Sequence, residues 1–180
     1  MRTSTLVRNG APGWLALAVA LGGCTPQDRQ ATPAPVASRH ATAPPTCAVT
    51  AVRTEPVPSV VPGFSTTSGP ATPWMGDARF TAVVFYANGA DPTMRALGRM
   101  STGTSTKIFW WVAGGGDVMT VRGEELASGR TFRQVVAGIG GGQFPSVPVV
   151  PSSGCWTLTE SIDGRDVGAI TIPVTGPVRP

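Results

Sequence analysis

The sequence predicts an all-β fold, an antiparallel β-sandwich of about seven strands that occupies residues 47–180. Short runs of β-branched and aromatic residues alternate with polar residues, as they do in strands that bury one face. The chain contains 23 glycines and 18 prolines, and many of them form turn signals between these runs. The Ala, Leu, Glu and Lys periodicity of helical bundles is nearly absent. Short strands separated by frequent turns are typical of a sandwich.

The alternation predicts strands at residues 47–54, 78–86, 107–113, 118–122, 131–136, 155–162 and 167–174. Asp163-Gly164 separates the last two and predicts a two-residue hairpin turn. Residues 55–73 are rich in Pro, Ser and Thr and predict a long loop that is either draped over the surface or functional. Residues 93–100 are expected to form one or two helical turns.

The N-terminus carries a targeting pattern. Residues 1–9 are polar and positive, residues 14–21 are an unbroken apolar run, and Leu21-Gly22-Gly23-Cys24 follows. The apolar run is far shorter than the ~20 residues that a bilayer-spanning helix needs. The pattern resembles a bacterial lipoprotein signal peptide, with Leu21-Gly22-Gly23-Cys24 as its lipobox. The resemblance implies cleavage after residue 23 and lipidation of Cys24, with membrane lipid as the partner of that residue. Ordinary secretion with an unmodified Cys24 is the alternative.

Residues 24–46 are predicted to be a tether between the lipidated cysteine and the sandwich. Residues 25–46 contain five prolines, many Ala and Thr residues and no aromatic residue, so they cannot bury enough apolar surface to fold. His40, the single histidine of the chain, lies in this segment and is expected to be solvated.

Lipidation of Cys24 would leave two cysteines, Cys47 and Cys155, in an exported and oxidising setting. We therefore predict a disulfide between them, which would tie the first predicted strand to a late one. The alternative is a pair of buried free thiols.

Charge gives no support to nucleic-acid binding. The formal net charge is +4, but Arg2 and Arg8 lie in the predicted signal peptide. From Cys47 onward ten basic residues face nine acidic ones, so the folded part is close to neutral.

Several kinds of chemistry are disfavoured by the residues that are present. The lack of histidine after His40 excludes Ser-His-Asp and Cys-His mechanisms and the usual histidine metal sites within residues 47–180. The methionines of this region are typical of packing, and the glycines of residues 138–142 are followed by prolines that forbid a phosphate-binding helix. We therefore predict no catalytic residue, no metal and no cofactor.

Paired carboxylates are the remaining route to an enzyme, as in glycoside hydrolysis. The candidates are Glu124, Glu125, Glu160, Asp163 and Asp166. Glu160 continues the strand face of Trp156 and Leu158, so it lies either at the exposed end of that strand or buried in an unusual place. Solvated structural roles are the default interpretation for the others.

Phe109 and Trp111 are the predicted binding residues. Strand alternation puts Ile108, Trp110 and Val112 on one face and Phe109 with Trp111 on the other. If the first face is core, the second presents an aromatic pair that can stack on a sugar or anchor a protein partner. The alternative is that Phe64 of the long loop, or Trp74, covers the pair.

The C-terminal hairpin carries a second resemblance. Residues 151–159 (PSSGCWTLT), Asp163-Gly164 and residues 170–174 (ITIPV) resemble the last two strands of bacterial immunoglobulin-like domains. The match covers about 30 residues and implies an immunoglobulin-like sandwich. Some domains with similar ends handle copper through histidine, but this region has no histidine, so that function does not carry over.

Together these patterns predict a lipid-anchored, extracytoplasmic protein of the cell membrane or outer membrane. Its sandwich would be a non-enzymatic binding or structural module for an unknown envelope protein or glycan, with no nucleic-acid partner. The alternatives are a carbohydrate-active envelope enzyme that uses carboxylates and an accessory subunit of an envelope complex.

Overall fold

The computed structural model describes residues 46–64, 72–100 and 102–177. The predicted signal peptide, Cys24 and all but the last residue of the predicted tether lie outside these residues. The described part is an all-β sandwich, as predicted, with nine strands and no α-helix. In chain order the strands are β1 (Trp74–Gly76), β2 (Phe80–Val84), β3 (Met94–Arg95), β4 (Ile108–Val112), β5 (Val118–Glu125), β6 (Thr131–Ala137), β7 (Gln143–Ser146), β8 (Gly154–Ile162) and β9 (Arg165–Thr175).

The strands form two sheets, one with the order β1-β2-β4-β7 and one with the order β3-β9-β8-β5-β6. Among these strands the chain changes sheet five times, at β2–β3, β3–β4, β4–β5, β6–β7 and β7–β8. In this arrangement β2, β4 and β7 correspond to strands A, B and E of an immunoglobulin-like sandwich, and β9, β8, β5 and β6 to strands G, F, C and C′. All pairs are antiparallel except β3 with β9, which is parallel and departs from the predicted all-antiparallel pairing.

Six of the seven predicted strands are present, with shifted ends. The predicted strand at residues 47–54 is wrong: this stretch forms an isolated bridge from Arg53 to Trp74 and two hydrogen bonds between Thr50 and Thr171 of β9, but no strand. Residues 93–100 form the two-residue strand β3 and a short 3₁₀ turn, Ala96–Gly98, instead of α-helical turns. Strands β1, β3 and β7 are not among the predicted strands. Strands β1 and β3 are too short to show alternation. Strand β7 contains Pro145, which is tolerated because β7 lies at the edge of its sheet.

The hairpin between β8 and β9 has the predicted two-residue turn. Asp163 and Gly164 both have positive φ, 50° and 75°, as a type I′ turn requires. The turn sets the register in which Ile162 pairs with Arg165, so the longest pair of strands is fixed by local chemistry.

The predicted disulfide between Cys47 and Cys155 is present. It joins the irregular N-terminal stretch to β8 across a sequence separation of 108 residues. Closing a loop of about 100 residues contributes about 4.7 kcal/mol in the chain-entropy account. The bridge therefore holds in place a segment that has few backbone hydrogen bonds of its own.

The main core lies between the two sheets and is centred on large buried side chains. They include Trp110, Phe144, Trp156, Met75, Met119 and Leu158. A second, smaller cluster lies on the outer face of the four-stranded sheet, where Val83, Phe109 and Trp111 contact residues from the segment before β1.

Candidate functional site

The aromatic pair Phe109 and Trp111 is not an open surface. Both side chains are only 9% exposed. They are covered by a strap, residues 57–64, whose Val57 and Val61 are buried against them. The expectation of an exposed stacking platform is therefore wrong.

Two further contacts keep this outer cluster closed. The Phe64 ring lies 5.3 Å from the Phe109 ring, centroid to centroid, and Trp74 is buried beside them. The indole of Trp74 donates to the backbone oxygen of Glu55 at 2.9 Å, which fixes the start of the strap. The structure therefore matches the alternative given in the sequence analysis, in which the long loop and Trp74 cover Phe109 and Trp111.

Glu160 is the most unusual carboxylate. It is fully buried among the core residues of β8, in register with Val121 of β5 and Gly168 of β9. Neither carboxyl oxygen has a hydrogen-bond partner in the described residues. Burial raises its pKa well above the ordinary value, with a smaller contribution from the charge of Asp166.

The surroundings of Glu160 do not form a cleft. The ring of Phe80 packs so closely on Gly168 that a methyl group there would overlap it at 2.2 Å. The apolar core therefore seals the carboxyl from solvent, and it cannot reach a substrate in this arrangement.

Glu125 is also largely buried, at 7% exposure, but has a structural role. Its carboxylate accepts hydrogen bonds from the backbone N–H groups of Ala127 and Ser128 at 3.2 and 2.8 Å. Hydrogen bonding, with Ser128 the largest contributor, lowers the pKa of Glu125. This carboxylate organises the turn between β5 and β6.

A concave surface lies on the outer face of the five-stranded sheet, where β5, β6 and β8 run side by side. One concavity of about 530 Å³ is lined by Arg122, Gly123, Glu124, Thr131, Phe132, Arg133 and Thr159. An adjoining one of about 380 Å³ is lined by Val118, Thr120, Arg122, Arg133, Ser161, Asp163 and Gly164. Both share Arg122 and Arg133, so we call this surface the arginine face.

The two arginines lie directly opposite each other, in register on β5 and β6. Like charges in this position repel, unless nearby groups compensate. Arg122 forms an exposed ion pair with Asp166, and Arg133 donates to the hydroxyl of Thr120 at 3.1 Å. Each guanidinium carries five N–H donors, and these contacts use few of them.

The arginine face carries groups that bind oxygen-rich ligands. Guanidinium groups bind carboxylates and phosphates in two-point geometry, and the surrounding hydroxyls can donate to or accept from a sugar or a backbone. Rigid strands position all of these groups.

The sequence contained only an indirect signal for this surface. The alternation of exposed and buried residues in β5 and β6 puts Arg122 and Arg133 on the solvent side. Their pairing depends on the register of two strands, which the sequence does not state. Strand alternation therefore predicts the aromatic pair Phe109 and Trp111, but it does not predict that the two arginines lie together.

The described residues contain no group of three or more His, Cys, Asp or Glu side chains arranged to hold a metal ion. Among these residues, no helical segment has the length and hydrophobicity of a membrane span.

No family model matches this chain, and no curated protein matches it. Among solved structures it is similar to a "Putative Lipoprotein from Bacillus anthracis", with 13% sequence identity and a TM-score of 0.39. The match covers 59% of this chain and 81% of that one. A similarity of this degree carries no argument about function.

Proposed function

We propose that this protein is an exported, lipid-anchored and non-enzymatic binding module of the cell envelope, and that the arginine face is its binding surface. The lipobox supports the anchor at Cys24, in the cell membrane or the outer membrane. The Cys47–Cys155 disulfide is in keeping with a place outside the cytoplasm. The nearly neutral charge of the folded part gives no reason to expect nucleic acid as a partner.

One observation carries the choice of surface: Arg122 and Arg133 lie opposite each other between two adjoining concavities. A cross-strand arginine pair costs stability unless a ligand or a neighbouring group neutralises it. Asp166 already neutralises Arg122, and an oxygen-rich envelope partner, a glycan or an acidic protein segment, would supply the same compensation to Arg133. The aromatic pair Phe109 and Trp111 is buried and cannot contact a partner in this arrangement.

The non-enzymatic interpretation is supported by where the carboxylates lie. Glu160 is sealed in the core, Glu125 organises a turn, and Asp166 is paired with Arg122. The other two candidates, Glu124 and Asp163, line different concavities. A glycoside-hydrolysing pair needs two carboxyl groups that face each other across a substrate cleft. We therefore prefer binding to catalysis.

Photo-crosslinking in native membranes tests the proposal. A photoreactive residue replaces Thr159, which lines the larger concavity, in the full-length chain. We expect one abundant adduct, and we expect the double variant Arg122→Gln/Arg133→Gln to lose it. The matched control Arg79→Gln/Arg99→Gln removes two exposed arginines that line neither concavity and should keep the adduct.

An adduct that persists in Arg122→Gln/Arg133→Gln would show that the arginines do not bind the partner. Circular dichroism must first show that this variant is folded. We expect that it is, because substitutions of exposed residues usually change stability by no more than about 0.5 kcal/mol.

A further inference from the structure

Strand β6 leaves one edge of the five-stranded sheet open. Hydrogen bonds from Glu125 to Arg130 and from Gly138 to Asp117 bracket its pairing with β5. Backbone groups of antiparallel strands point alternately to the two sides. The even-numbered residues of β6 therefore face β5, and the backbone groups of Thr131, Arg133, Val135 and Ala137 point to the open edge. These groups have no hydrogen-bond partner in the described part of the chain.

This edge has little of the usual protection against pairing. Natural sheets protect their edges with short strands, charged side chains, prolines or bulges, and β6 carries a single charge, at Arg133. Strand β6 has seven residues without proline and pairs with β5 in an unbroken register. Val135 is 56% exposed, and Ile139, just beyond the strand, is 66% exposed.

Strand β6 is also held in place by side-chain hydrogen bonds to another segment of the chain. The side chain of Gln134 donates to the backbone oxygen of Val147 at 3.2 Å and accepts from the N–H of Val149 at 3.1 Å. A strand held in this way loses little additional freedom when another strand pairs with it.

We infer that two copies of this protein pair antiparallel along β6, with Val135 on the two-fold axis. In this register Val135 packs on its equivalent, and Arg133 lies opposite Ala137. The two Arg133 residues are then four positions apart, roughly 14 Å along the strands. Shifting the axis to Arg133 would place arginine directly opposite arginine, which is unfavourable.

The pattern of β6 is thus complementary to itself. An edge that pairs with itself must bring apolar residues together and keep equal charges apart, and the register centred on Val135 does both. Every edge-facing backbone group of Arg133, Val135 and Ala137 then has a partner. The occupant that these residues fit is a second copy of the chain.

Pairing would join the two five-stranded sheets into one sheet of ten strands. Because the two-fold axis is perpendicular to the sheet, both arginine faces would lie on the same surface. This consequence rests on the proposed function: a dimer would offer two neighbouring sites to a repetitive glycan or a large protein. A single strand pair buries less area than a standard interface, so we expect a weak dimer that confinement on a membrane favours.

Cysteine crosslinking tests the register in membranes that carry the full chain. Residues directly opposite in a hydrogen-bonded pair have Cα atoms about 5.5 Å apart, within the usual range for a disulfide. We expect Val135→Cys to give a disulfide-linked dimer on non-reducing gels. Arg133→Cys, the control, should give none. Equal dimer from both variants, or none from Val135→Cys, would overturn the inference, as would a Val135→Cys adduct to a different protein.

Association of the detergent-solubilised full chain gives a second test. We expect Val135→Lys to weaken association at least tenfold, since it places two ammonium groups on the axis. Val60→Lys is the matched control, because Val60 is 54% exposed on the strap of the other sheet. Equal association of Val135→Lys and the parent chain in sedimentation equilibrium would contradict the inference.

The two hypotheses can fail separately. Loss of the dimer in Val135→Lys, together with an unchanged photo-adduct in Arg122→Gln/Arg133→Gln, would support pairing and refute the arginine face. A lost photo-adduct without any dimer would do the reverse.

Discussion

At the residue scale, Glu160 is the clearest departure from ordinary packing. A carboxyl with two unpartnered oxygens in an apolar core costs stability, because it has exchanged water for contacts that cannot hydrogen-bond. The sequence placed Glu160 on the face of Trp156 and Leu158 and left open whether it was buried. Whether Glu160 is buried depends on how far along β8 the opposite sheet covers the strand, which the sequence does not state.

Glu160 should make stability depend on pH. Its pKa is raised in the folded state, so the folded protein keeps a proton that the unfolded chain releases above about pH 4.5. The stabilising contribution is complete below that pH and is lost as the pH rises toward the folded pKa, by up to about 1.4 kcal/mol per pH unit. Urea unfolding between pH 4.5 and 8 should show this decline in the parent and a flatter profile in Glu160→Gln.

The difference between the two profiles isolates Glu160 from Glu55, Asp77, Asp91 and Glu125, whose pKa values are lowered. Glu160→Leu should additionally stabilise the protein at pH 7, by about 1–3 kcal/mol, since it removes the unsatisfied oxygens. Parallel profiles of the parent and Glu160→Gln would mean that the carboxyl is solvated.

At the element scale, local chemistry predicted the last hairpin well and the first strand badly. Asp163-Gly164 fixes its turn through positive φ angles that these residue types accept. Residues 47–54 show strand-like alternation, but they have no ladder. The disulfide, one bridge and the hydrogen bonds between Thr50 and Thr171 hold them against the sandwich. Tertiary contacts overrode the pattern there.

Strand β4 shows a second limit of periodicity. Alternation separated Phe109 and Trp111 from Trp110, and the structure keeps that division between the outer and main clusters. All five residues of β4 are nevertheless buried, because the strap covers the outer face. Strand alternation assigns residues to the two faces of a sheet. Whether the outer face is covered depends on the strap, which is distant from β4 in the sequence.

The strap predicts a stability effect at its buried valine. Val61 is 1% exposed in the outer cluster, and its neighbour Val60 is 54% exposed. Val61→Ala should cost about 1–3 kcal/mol, because it removes buried methyl groups and leaves a gap over the aromatic pair. Val60→Ala should change the free energy of unfolding by less than about 0.5 kcal/mol. Equal effects of the two substitutions in urea unfolding would show that the strap does not pack on the sheet.

At the scale of the whole molecule, the described part of the chain is a disulfide-tied sandwich with an open sheet surface, to which the proposed function adds a lipid anchor at Cys24. The fold class and the disulfide could be predicted, since they follow from residue patterns and cysteine number. The arginine face could not, because Arg122 and Arg133 meet only through the pairing of β5 with β6.

The proposed lipid anchor at Cys24 predicts that its removal releases the protein from the membrane. Cys24→Ser removes the thiol that the lipid would occupy, and each buried methylene contributes about 0.8 kcal/mol to membrane binding. Cell fractionation should therefore find the parent chain with membranes and Cys24→Ser outside them. Equal membrane association of both would contradict lipidation at Cys24 as the anchor.

Arginine footprinting tests whether a partner covers Arg122 and Arg133 in the envelope. The protein in intact envelopes and the purified chain are both treated with an arginine-selective dicarbonyl reagent, and the modified residues are identified by mass spectrometry. We predict that Arg122 and Arg133 react several-fold less in envelopes, whereas the exposed Arg79 and Arg99 react equally in both samples. Equal modification of all four arginines in the two samples would contradict the assignment of the arginine face as the binding surface.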